Sequence, residues 1–228
     1  METLIVSDEC VTLGLRAGII LFRDVTVQSA SDSLLSEIAA EVEQIRGRFP
    51  SVAEIRTAPE LAPGQDILRR VGVNPRRQPS SVQNLLQMAV RRGALPTINN
   101  FVDSYNLISV RSGCSLGAHD LDRIALPVEL RLLRGDESFT PLGSADSKSV
   151  TAGEFAYVDA QNRVLCRLDV LQADFSKVTV TTKNVFLIIE GTSAHAYESL
   201  KQAYTDCTDL ILSECGGEAE IAAFPMIS

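Results

Sequence analysis

Apolar positions in the first half of the chain recur mostly at helical spacing, whereas in the second half they gather in short runs. Residues 17–27 (AGIILFRDVTV) are rich in Ile, Leu and Val and read as a strand. Leu34, Leu35, Ile38, Val42 and Ile45 then fall on one face of a 3.6-residue helix, with Ser31 or Asp32 as cap and Gly47 near its stop. Residues 51–78 are mixed, and Asn74-Pro75 and Gln78-Pro79 break any helix there. A second helix opens at Ser80 or Ser81, buries Val82, Leu85, Leu86 and Ala89, and closes at Gly93. A third follows Pro96-Thr97 and carries INNFVDSYNLISV. Strand-like runs come next, at 128–134, 154–159, 163–169, 177–182 and 184–190, with a turn over Asp159 to Asn162. A last helix is expected from about Ser193 to Ser213, with Tyr197, Leu200, Tyr204, Cys207 and Ile211 on one face and Gly216-Gly217 as its end.

Helices first and strands later indicate an α+β fold. The βαβ alternation of a Rossmann sheet is missing, and neither GxGxxG nor GxxxxGK[ST] occurs, so nucleotide binding by those loops has no support. The chain has 228 residues, enough to bury a sizeable core, and is read as one domain over 1–228. No run approaches the roughly 18–20 apolar residues of a membrane span. METLIVSDEC lacks a basic leader, so a cytoplasmic protein with no membrane partner is expected.

Cys10, Cys114, Cys166, Cys207 and Cys215 form no CxxC pair, so neither a disulfide framework nor a metal site is expected. The net charge of −8 argues against broad nucleic-acid binding through phosphate neutralisation. It leaves room for a local contact. Arg69–Arg70, Arg76–Arg77 and Arg91–Arg92 are either solvated helix ends or a patch that touches an RNA backbone, with Arg76, Arg77, Arg91 and Arg92 as the candidate RNA contacts.

Ile98-Asn99-Asn100-Phe101-Val102-Asp103-Ser104-Tyr105-Asn106, followed without a gap in spacing by Gly117-Ala118-His119-Asp120-Leu121-Asp122-Arg123-Ile124, resembles two motifs of the tRNA-editing (B3/4) domain in the beta subunit of phenylalanyl-tRNA synthetase. LRLLRGDESFTPLG and NVFLIIEG resemble two further segments, so the likeness covers roughly residues 74–192. Residues 1–73 and the helix 193–214 are taken as extensions of the same unit. The resemblance implies antiparallel strands in a sandwich-like core with flanking helices. Class II aminoacylation motifs are not found, so the chain is expected not to charge tRNA but to keep the module that hydrolyses mischarged tRNA.

For that chemistry the resemblance implies tRNA and an amino acid or aminoacyl ester as partners, and no cofactor. An aminoacyl ester is already activated, so the protein must hold the carbonyl, exclude wrong side chains and place one water. Asn106 falls on the family's site asparagine, and its amide can hold a water or a carbonyl. His119 is the candidate base; the family's histidine position is Gly117 here, two residues earlier. Glu190 falls on the family's specificity glutamate, with Ile189 as its competitor because this strand has one extra residue. Asn100 and Ser104 complete the candidate substrate contacts. The family's glycine-rich pocket loop is replaced by the bulkier, charged VLCRLDVLQAD, which points to a pocket not shaped for tyrosine. His195 reads as structural or exposed. Two other readings share these residues: a binding module that kept the fold without hydrolysis, and a different hydrolase on the same scaffold.

Overall fold

The structure, a computed structural model, describes residues 3–224. Two sheets form its centre. The first has strands in the order β1 (Leu4–Val6), β4 (Val128–Leu132), β5 (Phe155–Val158), β6 (Val164–Arg167) and β7 (Leu171–Gln172). The second runs β3 (Ser115–Asp120), β8 (Val185–Thr192), β2 (Leu15–Arg23) and β9 (Glu218–Ala223). Only β1 against β4 is parallel among these pairings.

Strands β2 and β8 are buried on both faces, which is why IILF and VFLII read as unbroken apolar runs rather than alternating ones. Ile19, Leu21, Phe186 and Ile188 meet Val128, Leu130, Phe155 and Leu165 between the sheets. Ile20, Phe22, Val185, Leu187 and Ile189 point the other way, onto helices α6 (Asn100–Ser112) and α7 (Tyr197–Cys215). Each such side chain, fully buried, contributes on the order of 1.5–3 kcal/mol. A third layer packs on the outer side of α6: α2 (Asp32–Arg48), α3 (Val52–Thr57) and α5 (Ser81–Arg92) bury Leu34, Ile38, Val42, Ile55, Val82, Leu86 and Ala89 against Leu107 and Val110.

The helices are bounded as their caps dictate. The Oγ of Ser31 accepts from the Leu34 N–H, that of Ser80 from the Gln83 N–H, and the Oδ1 of Asn99 from the Val102 N–H. Gly93 and Gly113 end α5 and α6 at φ +66° and +74°. The mixed segment resolves into α3, a 3-10 turn at Pro59–Leu61 and α4 (Ala62–Arg70).

Several expectations are corrected. Leu35 is not in the buried stripe of α2 but 37% exposed. Residues 177–182 are no strand: the Thr182 N–H reaches the Thr179 carbonyl, and the Thr182 hydroxyl accepts from the Thr179 N–H. Threonine side chains there satisfy the backbone locally and compete with strand pairing. Helix α7 starts at Tyr197 rather than Ser193, because the His195 N–H closes a turn on the Thr192 carbonyl. Strands β1, β3, β7 and β9 and the short α1 (Asp8–Leu13) were not foreseen.

Candidate functional site

The site lies at one end of the sandwich, where β8 and β3 leave the core beside α4 and the start of α5. Along β8 the parity of the strand decides which side chain enters it. Ile189 belongs to the helix-facing set, and Glu190 to the set between the sheets, opposite Ser115 on β3 and Ala17 on β2. From the facing sheet, Tyr157 on β5 donates its hydroxyl to Glu190 Oε2 at 2.5 Å. Glu190 is 6% exposed, and its Oε1 bonds no protein atom among the described residues.

Asp169 completes the arrangement. It follows β6 in a turn where Leu168 and Asp169 both take left-handed backbone angles (φ +55° and +58°), a conformation that costs non-glycine residues free energy and marks sites held by their surroundings. Its Oδ2 accepts from the Ser115 hydroxyl at 2.7 Å and its Oδ1 from the Ser81 N–H, in the first turn of α5, at 3.3 Å. Glu190 and Asp169 line a cavity of about 40 Å³ together with Ser115, Gly113, Leu68 and His195. They also line a smaller inner recess of about 10 Å³, bounded by Gly117, Tyr157 and Cys166.

Burial pushes the Glu190 carboxyl well above the usual carboxylate range, and the neighbouring charge of Asp169 adds to it, while the Tyr157 hydrogen bond opposes. Burial likewise raises Asp169, against the bonds from Ser115 and Ser81. No salt bridge to a basic side chain compensates either carboxyl among the described residues. Both carboxyls therefore hold their protons to higher pH than free carboxylic acids do, a perturbation of the kind found where acid–base work or cation binding takes place.

The histidine at this cavity is His195, not His119. His195 Nδ1 accepts from the Thr192 N–H at 3.0 Å, which leaves the ring proton on Nε2, and burial lowers its pKa against hydrogen bonding with the Thr192 and Gly113 backbone. His119 shares a strand face with Ser115 and Gly117 but lies two side-chain repeats from Ser115, roughly 13–14 Å along β3. It is 0% exposed, its Nδ1 is bound to the Ser176 hydroxyl at 2.9 Å, and burial lowers its pKa to about 3. Such a ring stays neutral and does not line the cavity, so the structure does not bring the expected base together with Glu190.

The other expected residues are also dispersed. Asn106 lies about two turns before Gly113 on α6, is buried, and does not line the cavity. Asn100 is fully buried with its amide used at both ends: Oδ1 accepts from the Gln28 and Phe101 N–H groups, and Nδ2 donates to the Thr26 and Glu214 carbonyls. That exhausts the geometry available to it and makes it a clamp between three chain segments. Ser104 turns its hydroxyl back to the Asn100 carbonyl at 2.7 Å. Arg76 and Arg77 are exposed ahead of α5, and Arg91 and Arg92 are exposed at its far end, roughly 18 Å away along the helix. Asp169 was missed as a site residue although its segment, VLCRLDVLQAD, stood out as charged where the resembling family has glycines. Among the described residues no group of three or more His, Cys, Asp or Glu side chains is placed to hold a metal ion.

The domain is a two-sheet α+β sandwich with helices over one face and a small cavity floored by a carboxyl pair. The chain belongs to the B3/4 domain family, whose profile matches residues 64–216. It is 30% identical over 108 residues to the phenylalanine–tRNA ligase beta subunit of Methanococcus maripaludis strain C5, covering 39% of this chain and 20% of that protein. It is 25% identical over 156 residues to the beta subunit from Haemophilus ducreyi, covering 58% and 19%. The chain thus matches about a fifth of the length of these relatives. A crystal structure of an N-terminal fragment of the phenylalanyl-tRNA synthetase beta subunit from Pyrococcus horikoshii superposes with a TM-score of 0.48 at 15% identity, over 95% of this chain and 50% of that one. Among the described residues no helix is long and apolar enough to cross a membrane.

Proposed function

We propose that this chain hydrolyses the ester of an aminoacyl-tRNA that carries a small amino acid. The observation that carries the reading is the uncompensated Glu190–Asp169 pair inside a cavity of about 40 Å³. An engineered apolar cavity of roughly 150 Å³ takes up a benzene ring, several times the volume present here. The site as formed admits a side chain such as a methyl or hydroxymethyl group and refuses an aromatic one. The phenol of Tyr157 already satisfies one oxygen of Glu190.

The substrate's α-ammonium binds at Glu190 Oε1. Its positive charge offsets the repulsion between the two carboxyls, so both ionise in the complex. Asp169, the less buried of the two, then accepts a proton from a water that attacks the ester carbonyl carbon. His195 Nε2–H donates toward the carbonyl oxygen as negative charge develops there. The bond from the acyl carbon to the ribose oxygen breaks, and that oxygen takes up the proton. Free amino acid and deacylated tRNA leave.

Deacylation of tRNAs charged with glycine, alanine, serine, phenylalanine or tyrosine tests this. The small aminoacyl groups are expected to be released, and Asp169→Asn to slow release by about 10²-fold or more. No release above background from any of them overturns the reading. The second reading, a binding module that kept the fold, is favoured by Asn106 and His119 lying outside the cavity; it predicts thermal stabilisation by small amino acids or amines with no turnover.

A further inference from the structure

We propose that the groove between α3, α4 and the loop ahead of α5 is a binding site for a phosphate group. The groove measures about 500 Å³ and is lined by Arg56, Arg69 and Arg76, with Gln65 and Gln83 among its other walls and no acidic residue. The chain carries a net charge of −8, and Arg46, Arg48, Arg111, Arg123, Arg131, Arg163 and Arg167 each pair with an acid. Arg56, Arg69 and Arg76 form no ion pair among the described residues and are exposed.

The floor is built rather than incidental. Gln65 Nε2 donates to the Arg56 carbonyl at 3.1 Å and to Gln83 Oε1 at 3.2 Å, and Gln65 Oε1 accepts from Arg69 Nη2 at 3.1 Å. Both ends of that amide are consumed in fixing its neighbours. Gln83 is 1% exposed, and with its Oε1 engaged its Nε2 has no hydrogen-bond partner among the described residues. That donor is not sealed from solvent, so it stays free to meet an acceptor in the groove. Helix dipoles favour cations in the last turns of α3 and α4, where Arg56 and Arg69 sit, but they give no account of Arg76 or of the idle Gln83 amide.

The complement of three guanidinium groups and one amide donor is a group of only acceptors bearing more than one oxygen and full negative charge. A phosphate supplies three or four such oxygens; a carboxylate supplies two. Helix α4 is a wall shared with the carboxyl cavity: Gly64, Ile67 and Leu68 face that cavity, whereas Gln65 and Arg69 face the groove. The phosphate site does not depend on hydrolysis, and two sources carry the same chemistry: the backbone of single-stranded RNA, or a free phosphate or pyrophosphate.

Fluorescence anisotropy with a short labelled single-stranded RNA, and calorimetric titration with inorganic pyrophosphate, test the groove on the intact chain. Arg69→Ala combined with Arg76→Ala is expected to weaken binding at least about tenfold and to flatten the salt dependence of RNA binding by about 1.4 in log–log slope, at about 0.7 per phosphate contact. Gln83→Glu, which places an acid on the floor, is expected to weaken it as much. Arg91→Ala with Arg92→Ala, at the far end of α5, is the control and is expected to change binding less than twofold. Binding of RNA alone identifies a nucleic-acid backbone as the source; binding of pyrophosphate as well identifies free phosphate; either supports the site. Failure of both probes to bind at low salt, or equal loss in the Arg69/Arg76 and Arg91/Arg92 variants, overturns it. A chain that deacylates nothing yet binds RNA through these arginines refutes the proposed hydrolysis and keeps the groove.

Discussion

Replacing Glu190 with glutamine should make the protein more stable above neutral pH, an unusual outcome for a buried polar substitution. In the folded chain the Glu190 carboxyl is raised to about 8, by burial first and by the charge of Asp169 second, and Asp169 is raised to about 7 by burial. Unfolded, both titrate near pH ~4. The folded state therefore binds more protons than the unfolded state between those limits, and stability falls as pH rises across them. The contribution is complete below the unfolded values and is lost as pH passes the folded ones. A carboxyl moved from 4.5 to about 8 corresponds, at 1.36 kcal/mol per pK unit, to roughly 4–5 kcal/mol, counted once for a pair that shares a charge. Glutamine keeps the acceptor for Tyr157, gives Asp169 a neutral neighbour and does not titrate. Urea unfolding at steps from pH 5 to 9 reads the difference. Starting at pH 5 keeps out the acid loss from Glu137, whose hydrogen bonds with the Arg134 N–H and Arg131 hold it down at about 2. His119, whose buried ring has its pKa lowered to about 3, adds stability as pH rises to about 6.5 in both proteins, and Asp169 keeps its burial-raised pKa in the variant, so the difference between the two profiles is the readout. Between pH 5 and 9 the wild type should lose about 4 kcal/mol more than Glu190→Gln. Parallel profiles would refute the reasoning.

Other substitutions separate the site from the scaffold. Tyr157→Phe removes the hydroxyl that lowers the Glu190 pKa, so it should cost about 1–2 kcal/mol at pH 6 and move the pH midpoint of the stability profile upward. Asn100→Ala leaves buried partners of Gln28, Thr26 and Glu214 unmet; a loss of at least about 3 kcal/mol in urea unfolding is expected. His119→Asn should leave the pH dependence of deacylation between pH 5 and 8 unchanged, because the ring is neutral throughout that range; a shifted profile would restore His119 to the chemistry. A Cβ at Gly117 meets no heavy atom within 4 Å, so Gly117→Ala should stabilise by about 0.5–1 kcal/mol in the same unfolding assay while narrowing the recess beneath Glu190.

Helices α2, α5, α6 and α7 were legible because apolar spacing and caps agree, as at Ser80 with Gly93 and Asn99 with Gly113. Strands β2, β4, β5, β6 and β8 were legible as apolar runs. Strand β3 was not, because SLGAHD has little intrinsic strand preference and is a strand only through its pairing with β8 and its cover by α6. Residues 177–182 carried the opposite signal, good strand residues whose hydroxyls turned the chain instead. Local pattern decides where the register of a neighbour does not.

The same limit governs the candidate site, where the sequence singled out Glu190 and passed over Asp169. From Val185 to Ile189 every residue before the acid is apolar, so the sequence cannot tell which alternate set faces the other sheet; Ile189 and Glu190 stay equivalent. The antiparallel register with β3 and β2 removes the ambiguity, placing Glu190 opposite Ser115 and Ala17 on the inward face. The strand also runs on to Thr192, which carries the acid inside rather than leaving it at an exposed end. Asp169 reaches it from a turn that follows β6 with positive φ at two non-glycine residues, a conformation no side-chain pattern announces. Asp169 in that turn and Tyr157 on β5 thus approach Glu190 from two elements of the facing sheet, so the second titrating group and the hydroxyl that holds the first are placed by the sheet pairing and not by any one stretch of sequence.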